Sequence, residues 1–411
     1  MRTETRPHEA PIGASTLVTR YTIRCTLLED AHPGSGSGGA GIDALVARCA
    51  AGKPVIWREH LEGLLREEAR IRKVSSDVQR RLFGCSGGSG QVALFTSLYA
   101  EVDLDTRIWR SSARESFDNR APRDDTLRVI EAVPAGTTFT GRVELEERDV
   151  QALIELLHGL ESIGAGRNSG FGRVEFTVKR RKVTPRPLPA GSGTVLRLLM
   201  RNLDPMCITA TAMPGNIVPT HSYIPGRAAK GAIVRWLLDA GKRDGAELAA
   251  GEQVAVSNGY LLGALPGAEV PLGHVEVLPA PLSLRRPRPI AQPGEVPWWS
   301  LDHAVPERVD GAKVKEGNWK RCESDLVVYR TSPADPWRGV RPDIRVRLRN
   351  GRDDPAQRDP SLFAFEQIAE GSRFLLELSG NGENLRTLCS ALAPLLDGSR
   401  WMRVGREARR W

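Results

Sequence analysis

The sequence predicts an α+β protein made of two tandem ferredoxin-like (RRM-like) units with a glycine-rich loop and insertions, and three observations predict it. An internal repeat comes first. RDDTLRVIEAVPAGTTFTGRVEL, from Arg123, lies without a gap on RDPSLFAFEQIAEGSRFLLELSG, from Arg358. Asp124 meets Asp359, Glu131 meets Glu366, Gly136 meets Gly371 and Phe139 meets Phe374, each pair 235 positions apart. At the same offset DVQALIELLHGL, from Asp149, falls on NLRTLCSALAPL, from Asn384. A second register, 168 positions apart, sets VIWREHLEGLLRE, from Val55, against YIPGRAAKGAIVRW, from Tyr223. Finally, each half reads strand, helix, strand, strand, helix, strand by its apolar periodicity. That is the order of a split βαβ sheet with two helices on one face.

In the first half TLVTRYTIRCTLLE alternates as a strand, and EHLEGLLREEARI has the three- and four-residue apolar spacing of a short helix. TLRVIEAV and TTFTGRVELEE are the next two strands. Asp149 suits the N-cap of the second helix, and RVEFTVKRR closes the unit. TPRPLPAGSG, residues 184–193, has the composition of a linker. It divides the chain into a first unit over 1–183 and a second, divergent unit over 194–411. The Pro-, Gly- and Arg-rich stretch from about 242 to 340, with RRPRPIAQPGEVPWW, reads as an insertion in the second unit. There the glycine run is degenerate: Gly405 stands under Gly170, but Trp401 and Glu407 stand under Gly166 and Gly172. The chain then reaches Trp411 too soon for a full last strand.

Bulk chemistry narrows the function classes only a little. Fifty-eight Lys and Arg against 50 Asp and Glu leave a net charge of +8, a tilt towards an anionic partner. None of the six cysteines (Cys25, Cys49, Cys85, Cys207, Cys322, Cys389) stands in a CxxC pair, so neither a zinc knuckle nor a disulfide framework is announced. The opening MRTETRPHEAPIGAS lacks the apolar core of a signal peptide, and no apolar run approaches about 18 residues. A cytoplasmic protein with no membrane partner is expected.

Four local patterns carry chemistry. GAGRNSGFGRVEF, from Gly164, places four glycines and two arginines between a helix and a strand, where backbone N–H groups can approach a phosphodiester. The same run also suits a helix C-cap and a tight turn. SYIPGRAAKGAIVRW, from Ser222, opens a helix at Pro225 with Arg227, Lys230 and Arg235 along it, or is simply a Pro-initiated surface helix. RIWRSSARESFDNRAPRDD, from Arg107, mixes cations with Trp109 and Phe117, as nucleic-acid contacts and polar surface loops both do. HPGSGSGGAGIDALV, from His32, sets Asp43 on a glycine-rich loop, suited to a hard cation or to an Asx-turn. Among the histidines, His32 and His60 fall closest to these patterns in the first half, His60 early in the first helix and without a placed partner.

With the strand order, GAGRNSGFGRVEF resembles the glycine-rich loop of RAMP (repeat-associated mysterious protein) subunits of CRISPR effector complexes. SYIPGRAAKGAIVRW is similar to the "IPGSSLKGALR" element of that superfamily, and the stretch from Arg107 looks like its thumb-like hairpin. GIDALV, GLLREEAR and a divergent second unit together look most like the double-RAMP subunit of type III-D effectors. The first-half helix has lost the Pro-Gly turn at Trp57 and Arg58.

The resemblance implies a crRNA-binding subunit of an antiviral type III ribonucleoprotein, holding guide and target RNA beside other effector subunits. It implies RNA contacts at Gly164, Gly166, Arg167, Asn168, Ser169, Gly170, Phe171, Gly172 and Arg173, and at Arg66, Arg107, Trp109, Arg110 and Arg120. It also implies contacts at Pro225, Gly226, Arg227, Lys230 and Arg235. Asp43 falls at the place of a catalytic aspartate, so the chain could be a metal-dependent target-RNA endoribonuclease using Mg or Mn at Asp43, active within the complex. No tightly bound cofactor is expected otherwise. A guide-processing ribonuclease using His60 is a further alternative.

Overall fold

Strand β1 (Val18–Leu27) turns Tyr21, Ile23, Cys25 and Leu27 to one face, none more than 5% exposed, because side chains alternate along a strand. In the computed structural model the described residues are 18–84, 93–112, 121, 123–184, 193–210, 216–263, 272–280, 284–287, 299–300, 319–321, 327–332, 337–350 and 362–405. Around β1 stand β2 (Val55–Ile56), β3 (Leu94–Phe95), β4 (Leu98–Ala100), β7 (Thr138–Glu146) and β8 (Val174–Arg180). They form a sheet of order β2-β4-β7-β1-β8, with β3 also on β7. β1 is antiparallel to both neighbours, Cys25 lying between Phe139 and Phe176. Helices α1 (Arg58–Ile71), α2 (Ser76–Phe83) and α3 (Val150–Gly159) supply Leu61, Leu65, Leu82, Leu153 and Leu157 to the core beneath.

Two expectations change here. TLRVIEAV does not enter this sheet: β6 (Arg128–Ala132) pairs with β5 (Arg107–Ser111) in a separate two-stranded ribbon. Its place beside β7 is taken by β4, whose Leu98 and Ala100 are buried, whereas every residue of β5 is exposed. Asp149 does precede α3, but its side chain caps no amide. It accepts two hydrogen bonds from Arg81, at 2.8 and 2.6 Å, because a buried carboxylate is better satisfied by a guanidinium fork.

The second half contains β9 (Val195–Arg201), β10 (Ile217–Val218), α4 (Gly226–Asp239), α5 (Arg243–Ala250), β11 (Val254–Val256) and β12 (Tyr260–Leu262). Six short strands follow: β13 (Glu276–Pro279), β14 (Leu284–Pro287), β15 (Trp299–Ser300), β16 (Trp319–Arg321), β17 (Val327–Arg330) and β18 (Arg338–Val340). They form two small sheets, β13-β17-β18 and β15-β14-β16. The chain returns through β19 (Ile344–Asn350), β20 (Leu362–Ile368), β21 (Arg373–Gly380), α6 (Gly382–Ala391) and α7 (Ala393–Leu396). β21 is flanked by β9 on one side and by β11 and β12 on the other. The core beneath holds Ile233, Leu237, Phe374, Leu376 and Leu388.

Both sequence registers are visible in these elements. α1 and α4 are each 14 residues long and begin 168 positions apart, while β7 and β21 begin 235 positions apart. Gly136 and Gly371 turn into them with φ of 83° and 84°. The expected insertion from 242 shifts: Ala246, Ala249, Val254 and Leu261 belong to the second core, so inserted chain begins after β12. The two halves also join through buried charge. Glu144, on β7, accepts from Arg20, from Arg400 and from the Trp401 amide.

Candidate functional site

The glycine run forms a tight exposed loop between α3 and β8. Gly164, Gly166, Gly170 and Gly172 have φ of 77°, 75°, 82° and 75°. At Gly172 a Cβ would fall 2.0 Å from the Ile163 carbonyl oxygen, so no other residue fits. At Gly170 the space is open, and only the left-handed backbone restricts the choice. The loop is tied down at its two ends. Ala165 donates to the His32 carbonyl at 3.0 Å, Gly172 to the Asp30 carbonyl at 2.8 Å, and Gly164 to His60 Nε2 at 3.1 Å. Between the ties, residues 165–170 are exposed. The amides of Gly166, Arg167 and Asn168 donate to no group among the described residues. Ser169 closes the turn by donating to Gly166 O. Arg167 is held only loosely, 4.0 Å from Glu67, and Arg173 is exposed.

The β5–β6 hairpin stands against this loop. Trp109 meets Phe171 edge to face, with centroids 5.0 Å apart. Asp30, just past β1, organises the contact. Its carboxylate accepts from Trp109 Nε1 at 2.9 Å, from Arg107 at 3.1 Å and from the Ala135 amide at 2.8 Å. Burial would raise its protonation range, but these three donors outweigh burial and hold the carboxyl below its ordinary value. Arg110 and Ile108 take the opposite, exposed face of β5. Asp30 was invisible in the sequence because its side-chain partners lie 77, 79 and 105 residues further on.

The remaining expected residues do not all gather here. Asp43 is exposed, and one carboxylate oxygen accepts the Val129 amide at 2.7 Å. Among the described residues, no three His, Cys, Asp or Glu side chains come together to hold a metal ion. Arg66 donates to the Phe83 carbonyl and pairs with Glu62, binding α1 to α2. His60 spends its Nε2 on Gly164, and burial, then Arg167 and Arg347, keep its imidazole neutral below the usual titration range. At α4, Pro225 and Gly226 are buried and Gly226 donates to Asn258 Oδ1. Lys230 turns inward to the Gly251 carbonyl at 2.7 Å, and Arg235 pairs with Asp239, whereas Arg227 is exposed. Arg120 lies outside the described residues.

No described helix is long and apolar enough to cross a membrane. Among solved structures, the chain is similar to one chain of the type III-B Cmr-beta complex bound to cognate target RNA. They share 16% identity with a TM-score of 0.35, over 40% of this chain and 61% of that one. Oligomeric Cmr4 from Pyrococcus furiosus matches at 15% identity and a TM-score of 0.27, over 40% of this chain and 100% of that one. A type IV-B CRISPR complex matches at 15% and 0.30, over 41% and 95% of the two chains. No curated protein matches the chain. Residues 24–175, which run from β1 to β8 and hold both the hairpin and the glycine loop, match the RAMP superfamily.

Proposed function

We propose that this chain is a crRNA-binding subunit of a type III CRISPR ribonucleoprotein effector, built of two tandem ferredoxin-like RAMP units of which the second is divergent. The observation that carries the reading is the glycine loop. It offers open backbone amides and two exposed cationic side chains, Arg173 and the loosely paired Arg167, on a support tied down at both ends. Phosphate contacts of this kind fix a strand without reading its sequence. Beside the loop, Trp109, Phe171 and Arg107 add aromatic faces and charge, which hold unpaired RNA whatever its bases. Guide and target RNA and the neighbouring effector subunits are the partners implied, in the cytoplasm.

Recovery of nucleic acid with the natively purified protein tests this. Short RNA copurifies with the wild type, and crosslinking places it on residues 166–171. In Arg167→Ala combined with Arg173→Ala the yield falls about tenfold, a loss of about 1.4 kcal/mol of binding, while the melting temperature changes little. Recovery of no RNA, or RNA crosslinked only elsewhere, defeats the reading.

A second reading has one observation in its favour: the Asp43 carboxylate is exposed and oriented by the Val129 amide at the base of the hairpin. A Mg2+ or Mn2+ ion there would take the rest of its shell from RNA oxygens and water, as such ions do when few carboxylates are offered. Loss of one metal-dependent target-RNA product from assembled effector carrying Asp43→Ala would support it. Guide processing by His60 gains nothing from the geometry, since Nε2 is already an acceptor for Gly164.

A further inference from the structure

The first turn of α1 is one of the places where the two halves meet. Arg347 of β19 lies 2.7 Å from the Glu59 carboxylate, and the Arg345 guanidinium lies 5.8 Å from the Trp57 ring centre. By the 235 register, β19 and β20 stand in the second half where β5 and β6 stand in the first.

The equivalent turn of α4 is built differently. Arg227 occupies the position of Glu59, 168 residues on, and is exposed. An arginine-bearing hairpin would there meet like charge instead of a carboxylate. Beside Arg227 run three half-buried rings. His221 and Tyr223 have centroids 5.1 Å apart, and Tyr223 and Tyr260 5.6 Å. Asn258 locks the last ring to the turn, donating to the Tyr260 hydroxyl at 2.9 Å while its Oδ1 accepts the Gly226 amide at 2.8 Å. A Cβ on Gly226 would fall 2.5 Å from the Val256 carbonyl oxygen, so the turn sits hard against that loop. Burial, and then Arg227, keep His221 neutral below the usual range, leaving it an uncharged aromatic ring.

We propose that this column is a base-stacking subsite: an unpaired nucleobase of single-stranded RNA packs on His221, Tyr223 and Tyr260 while Arg227 pairs with a neighbouring phosphate. The inference rests on the RNA-binding reading and gives the second half its own contact. There the glycine run is lost, Trp401 and Glu407 standing for Gly166 and Gly172. Stacking suits a guide of any sequence because every base presents a π-face.

The test uses the full chain stripped of copurified nucleic acid, and fluorescence anisotropy with two labelled probes. One is an oligouridylate of about twelve nucleotides, within the usual span of single-strand sites. The other is an abasic ribose phosphate of equal length. The wild type prefers the oligouridylate. Tyr260→Leu lowers that preference about tenfold, about 1.4 kcal/mol, with affinity for the abasic strand unchanged. Tyr260→Phe, which keeps the ring, keeps the preference. An undiminished preference in Tyr260→Leu, or an equal loss for both probes, overturns the subsite alone. Loss of self-association in Tyr260→Leu with RNA preference intact would assign the face to protein instead. Binding of neither probe by the wild type overturns the RNA reading with it.

Discussion

His60 Nε2 accepts the Gly164 amide at 3.1 Å, joining the first turn of α1 to the head of the glycine loop. Only the neutral imidazole can accept there, so the loop's anchorage is linked to a proton. Burial disfavours the charged ring, and Arg167 and Arg347 add like-charge repulsion, with Glu59 and Glu67 paired to those arginines.

The sign follows from the lowered folded value. As pH falls, the unfolded chain takes up the proton near 6.5 before the folded one does. The contribution is therefore complete above about 6.5 and is lost as pH drops from there towards the folded value. Between pH 7.5 and 5.5 the wild type should lose more melting temperature than His60→Gln, whose amide oxygen still accepts. Parallel pH profiles for the two proteins would show that the imidazole is not the linked group.

Asp30 should matter to both stability and binding. Asp30→Ala leaves the Ala135 amide and Trp109 Nε1 without their acceptor, a loss of about 1–3 kcal/mol in urea unfolding. It also frees the hairpin from the glycine loop, so RNA affinity falls further than Asp30→Asn makes it fall. An alanine variant with unchanged stability and unchanged affinity would remove Asp30 from its organising role.

Asp204 sits at the seam between halves, 16% exposed, accepting from the Ser97 amide at 2.8 Å and from the Tyr99 hydroxyl at 3.1 Å. Burial raises its carboxyl to about 6, with Arg58 and the Ser97 amide opposing. A raised folded value favours folding at low pH, an advantage lost as pH rises through about 6. Asp204→Asn keeps an acceptor without the charge, so it should exceed the wild type in stability at pH 8 by up to about 3 kcal/mol. The two should converge only below the unfolded value of 3.8, the difference growing as pH rises from there to about 6. A less stable Asn variant at pH 8 would show that attraction to Arg58 outweighs the cost of burial.

Much of this organisation was legible in the residue order. The 235 and 168 offsets lay in plain apolar and glycine positions, and they mark where β7, β21, α1 and α4 begin. The left-handed glycines of the loop were also legible, since their need is local. Lys230 and Arg235 misled because charge on a helix does not say where a long side chain ends. One reaches the Gly251 carbonyl just past the next helix and the other a carboxylate one turn on.

The amino-acid order by itself determined the repeat, the alternation of helix and strand, and glycines at 164, 166, 170 and 172, the positions where the loop backbone is left-handed. Tertiary structure decided that β6 leaves the main sheet for a ribbon with β5, that Asp30 holds that ribbon to the loop, and that Arg345 and Arg347 face the first half. The reason is physical. Periodicity and turn chemistry act over a few residues, whereas strand partners and buried carboxylates are settled by which distant surfaces must share one core.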